Sequence, residues 1–185
     1  MSISGTNEAT QSVPFGTGVV AVGTGASSAG TNGTPARVDH VHSVDPPACR
    51  LTDADAQSLT NNTLTDLIFN DVDVYDTNGM HDPASNPERI TIVTTGLYLF
   101  TGHLTFATDT DITEVLLRIL VDGTTDIGQT RVAGTLSGFQ ILNVSGVAKL
   151  TAGQYATLNA RHVNTSAGAN SVTIRSFTAT WLGRG

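Results

Sequence analysis

Sulfur is nearly missing from this chain: one cysteine, Cys49, excludes an intramolecular disulfide and any CxxC redox or metal motif. Charge is scarce too. Only 14% of residues are Asp, Glu, Lys or Arg, against a usual share of about 25%, and the nine basic residues include a single lysine, Lys149. With a net charge of −7 and no cluster of cations, the chain lacks what binding to a phosphate backbone requires, so no nucleic-acid partner is expected. No run approaches the ~20 apolar residues of a membrane span, and the opening Met1-Ser-Ile-Ser-Gly5 has neither the basic nor the apolar region of a secretory leader. No membrane partner is expected. The lone lysine is followed by Leu150, so there is no Walker loop, and neither G-x-S-x-G nor H-E-x-x-H occurs. The sequence is not that of an enzyme with a recognisable catalytic motif, and no cofactor is required.

What the chain has is threonine, 29 of 185 residues, together with 19 glycines and six prolines. Threonine favours strands, and so much glycine disfavours a helical bundle. The length suits one domain plus an appendage. Residues 1–60 hold one aromatic, Phe15, and the stretch Gly16 to Thr34 has no helical or alternating period. Such a segment cannot bury enough apolar surface to offset its own ordering entropy. It reads as an extended, mostly irregular attachment arm over 1–60, whose isolated apolar points Val13, Phe15, Val19, Val20 and Val22 are set to dock into a preformed surface.

Residues 61–185 read as strands separated by turns, near 66–75, 90–94, 97–107, 113–122, 128–133, 138–150, 154–163 and 171–182. The only candidate helical turn is Thr52 to Leu59, with Thr52 or Asp53 as cap. In Leu97 to Phe106 the two-residue period puts Tyr98, Phe100, Leu104 and Phe106 on one face, which predicts a core face. Leu117 and Ile119 are assigned to the core or a subunit interface, as are Phe177 and Trp181 on one face of the last strand. Glu114 to Val121 is apolar on both faces, so its outer face is expected to meet another subunit. Asp122-Gly123 is a strong hairpin signal. Many short strands predict an all-β sandwich, jelly roll or barrel.

Gly96-Leu-Tyr98-Leu-Phe100, followed by a long apolar strand, resembles the Gly-x-Tyr-x-Phe segment of complement-C1q and tumour-necrosis-factor-like domains. Gly146 to Leu150 leading into Ala152-Gly153-Gln154, and a final strand with Phe177, follow in the same order, although the family usually has Gly-Asp where Gly153-Gln154 stands. The resemblance implies a C1q/TNF-like jelly-roll sandwich that assembles as a homotrimer. In the arm, Ala36-Arg37-Val-Asp39-His40-Val-His42 is similar to the Ala-Arg-x-Asp-His-x-His segments of tailed-bacteriophage fibre and virion proteins. That similarity implies a virion protein on the particle exterior, made in the host bacterial cytoplasm.

Phage fibres with a His-x-His pair bind iron or zinc, one pair from each of three chains, and the resemblance extends this role to His40 and His42. In an extended chain i and i+2 project to one side, so three chains around a threefold axis would offer six imidazole nitrogens to one ion. The other reading is that both are polar residues in a turn before Pro46-Pro47, or contacts to another virion protein. Asp71-x-Asp73-x-x-Asp76-x-Asn78-Gly79 departs from the calcium-loop spacing and reads as a solvated rim. Cys49 reads as structural, although its neighbour Arg50 has the charge to lower a thiol pKa. His81, His103 and His162 are scattered, and each is expected at a surface or interface.

Two functions follow. The first is a trimeric head decoration (cement) protein held by its arm to the major capsid protein or another virion protein. The second is a receptor-binding tip or fibre protein whose loops contact a host-surface glycan or protein.

Overall fold

The computed structural model describes residues 45–71 and 73–184. Its elements are nine strands: β1 (Ala48–Asp53), β2 (Gln57–Leu59), β3 (Thr65–Asp66), β4 (Tyr75–Asp76), β5 (Arg89–Thr91), β6 (Gly96–Val121), β7 (Thr125–Leu150), β8 (Tyr155–Asn164) and β9 (Asn170–Gly183). All pairings are antiparallel, in the order β3-β8-β6-β9-β1-β4, with β2 on β9, β5 on β8 and β7 on β6.

The architecture rests on β6. Its first half, Leu97 to Phe106, pairs with β9, its second half, Ile112 to Val121, pairs with β8, and both halves pair with β7. Register shifts between Phe106 and Glu114 mark the bend at which the strand leaves one layer and enters the other. One layer is β4-β1-β9-β6-β7; the other is β8-β6-β7 with β3 and β5 on the far side of β8. Phe106 of the first half lies edge-on to His162 of β8, with ring centroids 6.2 Å apart, so the two layers are packed face to face. Threonine-rich alternation explains the strands: in β6 the residues at 98, 100, 104 and 106 are buried while their neighbours at 99, 101 and 103 are not. The hairpin turn joining β6 to β7 has positive φ at both central residues, Asp122 (49°) and Gly123 (68°), as a type I′ turn demands.

The core expected from the sequence is the core of the fold. Tyr98, Phe100, Leu104, Phe106, Leu117, Ile119 and Phe177 have no exposed surface, and Trp181 packs partly buried against them. Phe69, Phe177, Phe100 and Tyr98 form a run of stacked rings with successive centroids 6.4, 6.0 and 6.1 Å apart.

Four boundaries differ from the sequence reading. The compact unit that holds the sheet begins at Asp45, so residues 45–60, assigned above to the arm, belong to the domain. Thr52 to Leu59 is no helical turn but the end of β1, a bend and β2, because both segments hydrogen-bond to β9. The segment 66–75 pairs only at Thr65–Asp66 and Tyr75–Asp76. Finally, 97–107 and 113–122 are one strand, as are 128–133 and 138–150, since the polar residues between them continue the β6–β7 ladder through bulges.

Candidate functional site

The outer face of the β1-β9-β6-β7 layer is built by register. Direct cross-strand partners share a face, so it reads in rows: Ile141, Thr105 and Ile174; Asn143, His103 and Ser176; Ser145, Thr101 and Thr178; Val147, Leu99 and Thr180. The two middle rows are small and polar. The outer rows, with Phe139 two residues before Ile141, carry large apolar side chains in water: Phe139 is 66% exposed, Ile141 61%, Ile174 54% and Val147 53%. On β9, β6 and β7 no residue in these four rows is an acid, a lysine or an arginine; on β1 the exposed Arg50 continues the Thr178 row.

Beside the middle rows lies a hollow of about 480 Å³ lined by Thr101, His103, Gln129, Thr130, Asn143 and Ser176 among others. A ring nitrogen of His103, Nδ1, lies 3.1 Å from Asn143 Oδ1, and Thr130 Oγ1 donates to the Asn143 carbonyl at 2.5 Å. These groups donate and accept hydrogen bonds; none is a carboxylate poised beside a nucleophile.

The opposite layer corrects the expectation of a bare apolar face on Glu114 to Val121. Leu116 and Leu120 do point outward, but each is only 5% exposed. Arg161 and Arg131 stand on either side of Leu116 in the register, and the apolar stems of such side chains cover neighbouring surface. Glu114 accepts hydrogen bonds from both guanidiniums. Burial pushes its carboxyl up, but the two arginines outweigh that and hold it below the ordinary glutamate value.

The acidic run keeps Asp71 exposed, as a rim would, and turns Asp73 and Asp76 half-buried toward β1. Asp71 joins Asp53 and Asp55, while Asp73 and Asp76 join Cys49. Asp53 is buried and bonded to Arg175 Nη2 at 2.8 Å, and burial holds the Arg175 guanidinium below its ordinary pKa against the opposing pull of Asp53. Cys49 faces inward and Arg50 outward, so the arginine does not activate the thiol. Burial, then Asp76 and Asp73, push the thiol pKa up.

Two histidines are not at the surface. His162 is fully buried, its Nε2 donating to the Gly168 carbonyl at 3.2 Å, and the His81 ring is buried against Asp73. His40, His42, Val13, Phe15, Val19, Val20 and Val22 lie outside the described residues. Among the described residues no helix is long and apolar enough to cross a membrane.

No protein-family model matches the chain, and no curated protein does. Among solved structures it is similar to the globular domain of zebrafish complement 1qA protein, with a TM-score of 0.53 and 17% identity over 75% of this chain and 99% of that one. The domain has a C1q-like jelly-roll fold. At this identity the likeness is one of fold. The C1q-like fold accounts for the Gly96 to Phe100 segment: Gly96 is buried where a Cβ would lie 1.9 Å from Trp181 Nε1, and Tyr98 and Phe100 point into the sandwich. Sequence reasoning missed Phe139, Ile141, Val147 and Ile174, whose only signal was an apolar residue on the polar side of an alternating strand.

Proposed function

We propose that this protein is a non-enzymatic structural protein that assembles as a homotrimer through the outer face of β9, β6 and β7. Its residues before Asp45 act as the arm that fixes it to a tailed-phage head, where it serves as a decoration protein. The observation that carries the trimer is the exposure of Phe139, Ile141, Val147 and Ile174 on one face of β6, β7 and β9, with Arg50 at its β1 rim. Scattered apolar residues on a monomer's surface are ordinary, but a shared face whose rows carry no acid, lysine or arginine on β9, β6 and β7, with a charge only at the β1 rim, has the composition of an interface core with a polar rim. The C1q-like fold is consistent with that assembly. The phage assignment is supported by the Ala36-Arg37-x-Asp39-His40-x-His42 segment, and the arm's role by its isolated apolar points among small residues.

Sedimentation of the full chain tests the trimer. A trimer is expected at micromolar concentration, with Ile141→Asp/Ile174→Asp shifting it to monomer; a wild-type monomer refutes it. Occupancy on particles lacking this protein tests the arm: residues 45–185 should fail to bind where the full chain binds. The second reading, a receptor-binding tip, is favoured by the His40/His42 pair, since such pairs hold an ion on a fibre axis. Copy number separates the two, in the hundreds per particle for a decoration protein and far lower for a tail tip.

A further inference from the structure

Cys49 and Asp76 are direct partners in the β1–β4 register, so thiol and carboxylate share the inward face. The loop before β4 brings a third group to them. Sγ of Cys49, a carboxylate oxygen of Asp73 and one of Asp76 all lie within 4.8 Å of one another. Cys49 has no exposed surface and no disulfide partner. Both carboxylates are held by one residue: His81 Nδ1 lies 2.7 Å from Asp73 Oδ1, and the His81 backbone N–H donates to Asp76 Oδ2 at 2.9 Å. The Asn78 N–H fixes the other Asp76 oxygen at 3.1 Å.

The second acidic group makes the contrast. Asp53, Asp55 and Asp71 have the Arg175 guanidinium among them. Asp73 and Asp76 form no ion pair with a lysine or arginine among the described residues, and their one basic partner is His81. Like charges brought together with a buried, unpaired thiol lack a cation that the other cluster has.

We propose that Cys49, Asp73 and Asp76 form a site for a divalent transition metal of the zinc class. A thiol among the donors argues against calcium and magnesium, which take oxygen alone, and three protein ligands leave a fourth position for water. Asp73, whose side chain is 19% exposed, lies on the solvent side of the site. His81 acts behind the ligands, orienting both carboxylates as the outer partners of metal ligands do. Binding displaces the thiol proton to solvent and forms the metal–sulfur bond. The ion would tie β1 to the loop 73–81. It is independent of the His40/His42 pair and of the trimer.

The test is a titration of the full-length, chelator-stripped protein with Co²⁺. The expected result is a near-ultraviolet sulfur-to-cobalt charge-transfer band that saturates at one ion per chain and is displaced by Zn²⁺. Cys49→Ala should abolish it, Asp73→Asn and Asp76→Asn should weaken binding at least tenfold, and His81→Gln by roughly 10–100-fold. His40→Ala/His42→Ala should leave the band intact, because imidazoles give no sulfur transition. Melting in chelator checks that each variant is folded, and Zn²⁺ should raise the melting temperature of the wild type and not of Cys49→Ala. A folded wild type without the band, or a band unweakened by both Asp→Asn variants, overturns the proposal.

Discussion

Gly128 and Gly146, both in β7, sit where the two halves of that strand cross: a Cβ on Gly128 would lie 2.3 Å from the Ser145 carbonyl oxygen, and one on Gly146 2.5 Å from that of Ile127. The edges of the two layers therefore meet backbone to backbone. Gly146→Ala is expected to force them apart and lower the melting temperature by several degrees, as about 1–3 kcal/mol of overpacking does. Gly168→Ala, whose nearest contact would be 3.4 Å from the Ser166 hydroxyl, is the control and should melt close to wild type.

Phe100 links the rings of Tyr98 and Phe177 with no surface exposed. Phe100→Ala removes the middle of that stack and should cost about 3–5 kcal/mol, a large share of a stability of ~5–15 kcal/mol. Denaturant unfolding measures it. A variant as stable as the wild type would contradict the inward orientation of Phe100.

Arg175 and Asp53 are a buried pair, 3% and 0% exposed at the side chain. Arg175→Met alone strands a buried carboxylate and should cost about 3–5 kcal/mol, whereas Arg175→Met/Asp53→Leu should recover much of the loss. Thermal unfolding of the two variants decides it; equal melting temperatures would show that the pair is not coupled.

The ion pairs of Glu114 set an acid dependence. Its carboxyl is held below the ordinary glutamate value in the fold, so its contribution is present above the unfolded value of about 4.3 and is lost as pH falls through the folded pKa. Glu114→Gln should therefore melt below wild type near pH 7, and the two curves should converge in acid. Arg131 is largely exposed, so salt should narrow the neutral gap.

How much of this was legible in the sequence depends on where each residue's partner lies. The face of Tyr98, Phe100, Leu104 and Phe106 was readable because alternation is local, and the Asp122-Gly123 turn because its chemistry sits in two residues. The arm's boundary was not, because β1 puts a charged residue, Asp53, at an inward position. Arg175, directly opposite it on β9, and the backbone amides of Asp55 and Asn70 make that position stable. The gap at 108–112 fell between two expected strands, since Asp and Thr favour turns, yet bulges on a strand that keeps its pairing to β7 accept the same residues. Burial of the His81 and His162 rings, and the gathering of Asp73 and Asp76 beside Cys49, likewise depend on loops and strands that no short window contains. The arm residues His40 and His42 carry a motif legible only by resemblance.

Because β6 belongs to both layers, neither layer can open while the other stays whole. The amides of Leu97 to Phe106 and of Ile112 to Val121, paired to different neighbours, should exchange with solvent only through one shared opening, at the free energy of global unfolding. A trimer built from such subunits would have no layer to shed as a partly unfolded intermediate. Each copy would resist prying at its rim as a unit, until it failed all at once.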